Sequence, residues 1–177
     1  MTASTDLRNL VYEENVRAPT WLILVLGLFL GGSAGVVTAV AIRSLVGEPL
    51  MEGGEAAVFY AVLAVYALLA LFLLVNFTNL AVTVSTQAVE MRFGLFSKTL
   101  LTADISSAEP RKYNWAQYGG WGLRLAMGGR RAWSMPGVPR GVLTTVVEPG
   151  RGQKSYFISS RDPEALAAAI NSQRSPG

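Results

Sequence analysis

The chain has 177 residues, 51% hydrophobic and only 15% charged, with a formal net charge of +3; soluble domains usually carry about a quarter charged residues. It contains neither cysteine nor histidine. That inventory excludes a disulfide framework, zinc ligation by Cys or His, thiol nucleophiles and histidine general bases. Hydrolases of the Ser-His-Asp and Cys-His kinds go with them.

Residues 1–19 form a polar leader. Between Ser4 and Arg17, Leu7, Leu10, Val11 and Glu14 sit at helical spacing after the cap candidate Thr5-Asp6. The segment reads equally as a short helix, at a membrane surface or against the folded domain, and as a frayed polar tail.

No charged residue occurs from Ala18 to Ile42 or from Ala56 to Val89. About 20 apolar residues cross roughly 30 Å of hydrocarbon. Residues 20–43 and 56–79 are therefore expected to be transmembrane helices, joined by a short external loop at 44–55. The first stretch is longer than the apolar region of a signal peptide, and its leader mixes acids and bases, so it reads as an uncleaved span.

Charge orients the pair. The leader sets Arg8 and Arg17 against Asp6, Glu13 and Glu14, and the loop sets Arg43 against Glu48, Glu52 and Glu55. From Glu90 onward, 12 Lys+Arg face 6 Asp+Glu. Basic residues accumulate on the cytoplasmic side. The loop is thus expected outside and both termini in the cytoplasm.

Gly27, Gly31 and Gly35 recur at every fourth position of the first span, a groove that admits another backbone. The covalently tethered second span is the expected occupant, with Ala57, Ala61 and Ala64 meeting the groove; a dimer face is the other reading. No acidic or basic residue lies between Trp21 and Ile42 or between Ala57 and Thr78, which argues against an ion or proton pathway.

The period then changes to two. Leu80, Val82 and Val84 alternate with small and polar residues, and Val89, Met91 and Phe93 alternate with Glu90 and Arg92. Phe96–Ile105 reads as a third strand ending near Pro110. Further strands are expected around Trp121–Leu125, Arg130–Met135, Val142–Glu148 and Lys154–Ser160. Gly128-Gly129 and Pro149–Gly152 supply turns. About seven short strands suggest a sandwich or barrel. Asp162-Pro163-Glu164 then opens a helix with Leu166, Ala169 and Ile170 on one face.

Seven strands followed by a helix is the pleckstrin-homology architecture, and the chain resembles the small bacterial membrane proteins with a pleckstrin-homology-like domain. The resemblance rests on the order of parts, on the segment VTVSTQAVEMRFGLFSKTLLTADISSAE, on GGWGLR at Gly119–Arg124 and on the ending YFISSRDPEALAAAI. It covers roughly Val82 to Ile170, and the spans only in layout. It implies a membrane α-helical hairpin plus an all-β, PH-like seven-strand domain at 80–172, with a tail at 173–177, in a bacterial plasma membrane. It carries over no catalytic residue and no phosphoinositide site.

Basic residues gather from Arg111 to Arg140: Arg111, Lys112, Arg130, Arg131 and Arg140, among Trp115, Trp121 and Trp133. They read either as a surface for anionic headgroups or as a solvated rim around strand tryptophans; Trp121 reads as core. There is no phosphate loop, no dinucleotide fingerprint and no paired carboxylate spacing. The expectation is a non-enzymatic, membrane-anchored binding or scaffold module without a cofactor. Its expected partners are the bilayer, anionic lipids or a membrane protein, and no nucleic acid. The alternative is an accessory subunit of a larger membrane complex or a homo-oligomer.

Overall fold

The computed structural model describes residues 9–47, 53–148 and 152–174. The start of the leader, most of the expected 44–55 loop, most of the Pro149–Gly152 turn and the end of the tail lie outside them. The described chain forms two units.

The first unit is a pair of apolar helices, α1 (Thr20–Leu45) and α2 (Gly53–Phe77). At 1.5 Å per residue each exceeds the roughly 30 Å of a bilayer's hydrocarbon, and both are long and apolar enough to cross a membrane. Ser33, Thr38, Ser44, Asn76 and Thr78 each donate to the carbonyl four residues earlier. Each of these polar side chains is thus satisfied by its own segment of chain. Rings of Phe29 and Tyr66 meet at 6.1 Å between the helices.

The packing of this pair corrects one expectation. Leu22, Leu26, Leu30, Ser33 and Val40 are the sheltered positions of α1, and Ala56, Phe59, Leu63, Ala67, Ala70, Leu73, Leu74, Asn76 and Phe77 those of α2. Ala57, Ala61 and Ala64 are exposed. A Cβ added at Gly27, Gly31 or Gly35 would meet nothing within 4 Å. The glycine stripe is not filled by α2, because the larger Leu and Val side chains of α1 take that face.

The second unit is a β domain of two sheets. β2 (Asn79–Ser85), β3 (Ala88–Phe93) and β4 (Phe96–Leu101) form an antiparallel meander. Leu80, Val82, Val84, Val89, Met91 and Phe93 are fully buried, so the alternation read from the sequence lines one inner face. Each such residue contributes about 1.5–3 kcal/mol.

The fourth strand of this sheet is β1 (Leu10–Arg17), drawn from the leader. The leader is therefore neither a helix nor a frayed tail over these residues. It pairs antiparallel with β2, from Tyr12 opposite Val84 to Arg17 opposite Asn79, and buries Val16. The reason is tertiary: the backbone of β2 offers a ladder of hydrogen bonds that no local helix could match. The described residues up to Ala18 thus group with those from Asn79 onward, and the domain is wider than 80–172. The helix pair is an insertion between two paired strands.

A 3-10 turn at Thr102–Asp104 ends β4 and starts β5 (Ile105–Lys112), so the long third strand expected at Phe96–Ile105 is two strands in two sheets. β6 (Gly122–Ala126), β7 (Arg130–Ser134), β8 (Arg140–Glu148) and β9 (Gly152–Ser159) follow. The second sheet has the order β5-β8-β9-β7-β6, with β7 and β9 parallel. Nine strands, not seven, occur among the described residues.

The short helix α3 (Trp115–Tyr118) lies between β5 and β6, and α4 (Pro163–Ser172) closes the domain. Asp162 caps α4 by accepting from the Ala165 amide at 3.0 Å, with Pro163 at its first turn. Leu166, Ala167 and Ile170 are buried, and Asn171 Nδ2 donates to the Ala108 carbonyl of β5 at 2.8 Å.

Candidate functional site

Alternation along each strand gives the five-stranded sheet two different faces. One carries Val142, Ile158 and Trp133, all buried. It joins the four-stranded sheet through Trp133, which stacks on Phe93 at 5.7 Å. The other carries Leu143, Phe157, Ala132 and Ala126, packed with Tyr118 and Tyr113.

Those tyrosines come from the β5–β6 connection. Asn114 caps α3, accepting from the Gln117 amide at 3.2 Å. The Tyr113 hydroxyl donates to the Gly120 carbonyl, and its ring stacks on Tyr118 at 5.3 Å and tilts against Phe157 at 4.9 Å. Gly141 of β8 lies beneath this cluster: a Cβ there would come within 2.8 Å of the Phe157 ring and collide with the Ile158 carbonyl.

The five basic residues expected to form one surface are divided by this geometry. Arg111 and Lys112 end β5, and Arg140 begins β8 opposite Lys112. Arg140 is neutralised by Glu164 at the start of α4, and Arg111 lies 3.5 Å from Glu109 with both side chains exposed. Arg130 and Arg131 sit on β7, where the row of Arg131 runs through Tyr156 to Thr144 of β8. That row is four residues from Arg140, about 13 Å along the strand and two strands away.

Arg130 and Arg131 are adjacent in sequence and therefore point to opposite faces. The Arg131 guanidinium lies 5.6 Å from the Tyr156 ring centroid, a cation–π contact. Arg130 turns toward the tyrosine face, its Nε donating to the Met127 carbonyl at 3.1 Å. Burial pushes the Tyr118 hydroxyl above its ordinary value, with Tyr113 adding to the effect and the charges of Arg130 and Arg111 opposing it. By register Arg111 and Arg130 lie on the same face of the sheet as Phe157 and Leu143, with β8 and β9 between them. Arg131 and Arg140 stand apart from that pair.

Arg124 of β6 belongs to the same face and was not singled out from the sequence. Its Nε donates to the Trp121 carbonyl at 2.9 Å. Burial also raises the Tyr113 hydroxyl, opposed by a hydrogen bond with Ser134 and by the Arg124 charge. The signal was present: Gly128-Gly129 fixes a turn that sets Arg124 opposite Ala132 and Leu125 opposite Arg131. Among the described residues, Arg124, Arg130 and Arg131 have no carboxylate partner.

Trp121 is not core. It is 47% exposed and meets Trp115 edge-on at 6.3 Å, whereas Trp133 is 6% exposed. Trp121 precedes β6 and has no inward strand position to occupy. No protein-family model, curated protein or solved structure matches the chain.

Proposed function

We propose that this chain is a membrane-anchored, non-enzymatic binding or scaffold module. It presents a basic face of its five-stranded sheet to anionic lipid headgroups at the cytoplasmic side of a bacterial plasma membrane. The observation that carries the reading is one of charge. No acidic residue occurs between Glu109 and Glu148, and within that segment Arg111, Arg124 and Arg130 share the tyrosine-covered face. Each cation close to an anionic leaflet contributes about 1 kcal/mol.

Strand order supports a pleckstrin-homology-like fold. β1 to β4 form one meander, β5, β8 and β9 a second, and α4 follows. In that frame the helix pair is an insertion between the first and second strands, and the β6–β7 hairpin an insertion between the fifth and sixth.

Membrane anchoring is supported by the lengths of α1 and α2 and by the pairing of β1 with β2. Two crossings return the chain to the side it left, which that pairing needs. The basic excess beyond Glu90 favours the cytoplasm for that side.

Hydrogen exchange on the full chain in nanodiscs tests the proposal. Peptides covering Arg111 and Arg124–Arg130 gain protection in discs containing phosphatidylglycerol relative to phosphatidylcholine alone, and Arg111→Ala with Arg130→Ala removes the gain. Equal exchange in both discs sinks it.

A second reading, an accessory subunit of a membrane complex, is favoured by the open glycine stripe of α1. Extraction in mild detergent distinguishes it, since recovery of the bare monomer alone defeats it.

A further inference from the structure

The β6–β7 hairpin combines features that the sheet face alone does not explain. Its turn, Met127-Gly128-Gly129, is closed by Ala126 opposite Arg130. Both glycines have positive φ, +75° and +74°, a conformation that side chains resist. Glycine supplies that conformation without strain, and the turn leaves Met127 89% exposed, with Leu125 beside it 82% exposed. Met127 is the most exposed large apolar side chain among the described residues, and with Leu125 it makes the end of the hairpin apolar.

The surroundings of the tip identify what it meets. Arg124, Arg130 and Arg131 flank it with no acid in the hairpin, which favours an anionic partner. Trp121, half-exposed at the hairpin's base, is the side chain type that settles at the headgroup level of a bilayer. An apolar tip with Arg124 and Arg130 on one face and a tryptophan behind them combines side chains that a lipid interface takes up. The same chain carries two helices long and apolar enough to cross a membrane.

We infer that the β6–β7 hairpin is a membrane-inserting element, with Leu125 and Met127 entering the acyl boundary of an anionic bilayer while Arg124 and Arg130 meet the headgroups. This rests on the lipid-surface reading above but adds apolar insertion to charge attraction. Arg124 and Arg130 each use one donor on a carbonyl of the hairpin's own chain, which aims them without a carboxylate.

The chain has no cysteine, so Met127→Cys gives a single labelling site on the full-length protein. An environment-sensitive fluorophore there, in nanodiscs of phosphatidylcholine with phosphatidylglycerol, is expected to shift to the blue and brighten several-fold. Lipids spin-labelled near the headgroup should quench it. The control is Leu101→Cys, an exposed apolar position at the end of β4 farthest from the strand ends that join the helices, whose label should stay water-like. Replacing Arg124 and Arg130 by Ala should reverse most of the shift at 127.

Water-like, unquenched emission at 127 in both disc types overturns the insertion, even if hydrogen exchange still reports an anionic preference of the sheet. Equal quenching in neutral and anionic discs upholds insertion and defeats the charge-based reading. A shift that appears only in native membranes, and not in pure lipid discs, overturns lipid as the occupant in favour of a protein.

Discussion

The Glu14 carboxylate accepts a hydrogen bond from the Ser160 hydroxyl at 2.6 Å, across 146 positions of sequence. The same carboxylate accepts from the Arg161 amide at 2.7 Å and from the Tyr12 hydroxyl at 2.9 Å. It therefore fastens the edge strand β1 to the segment between β9 and α4, and Arg161 adds a contact to the Arg17 carbonyl at 3.4 Å.

Glu14→Ala leaves a backbone amide and two hydroxyls without their acceptor, and should cost about 1–3 kcal/mol. Glu14→Gln keeps one acceptor oxygen and should cost less. Denaturant unfolding of the full chain in nanodiscs, read from the tryptophans, measures both.

Tyr12 gives this tie a pH dependence. Burial first, then the hydrogen bond and charge of Glu14, push its hydroxyl up to about 12. The unfolded chain loses that proton near 10, before the folded one does. The stabilisation is therefore intact below pH 10 and is lost as pH rises toward 12. Tyr12→Phe should flatten the fall in stability over that window, although the tyrosines 113 and 118, also raised, will leave part of it.

Gly141→Ala should be among the most damaging single substitutions in the domain. The added methyl collides with the Ile158 carbonyl, a backbone atom that cannot step aside, as well as the Phe157 ring. A loss of about 1–3 kcal/mol or more is expected from overpacking, seen as a lower melting temperature.

The glycine stripe predicts the reverse. Gly31→Ala meets no neighbour and should leave the helix pair intact, with a gain of up to about 1 kcal/mol from helix propensity. Single-site crosslinking between α1 and α2 should be unchanged. Gly31→Leu should abolish any association through that stripe while preserving the same intrachain crosslinks.

The insertion of the helix pair between β1 and β2 is testable by surgery. Joining Arg17 to Asn79 through a two-residue Asn-Gly turn should give a soluble, folded domain, because the two residues already stand opposite each other. A chain starting at Asn79 lacks Val16 and the β1 ladder and should be molten or aggregated. Near-ultraviolet circular dichroism and gel filtration separate the two.

Much of the architecture was legible because its determinants are local. The uncharged runs announce both helices, strict alternation announces β2 and β3, and Asp162-Pro163 announces α4. β1 was not legible: its sheltered positions are Tyr12, Glu14 and Val16, of which only Val16 is a fully buried apolar side chain, so no apolar alternation marks Leu10–Arg17. Its strand identity comes from a partner that lies beyond two helices. The basic cluster was legible as composition but not as geometry. Adjacent Arg130 and Arg131 are separated by the sheet they sit in, and Arg140 is answered by Glu164 from a distant helix. Trp121 and Trp133 both fall near alternating residues, and only the strand boundary at Gly122 tells them apart.

The position of β1 also sets the order of biosynthesis. The ribosome delivers β1 first, yet its partner β2 emerges only after both apolar helices have been made. The β1–β2 ladder cannot form during early elongation, since β2 follows both helices. Closing so long a loop carries an entropic charge that rises only slowly with length, so the delay is kinetic more than energetic. It follows that no contiguous stretch of the gene encodes the β domain without the helix pair, so moving it to another anchor takes a deletion between β1 and β2 as well as a fusion.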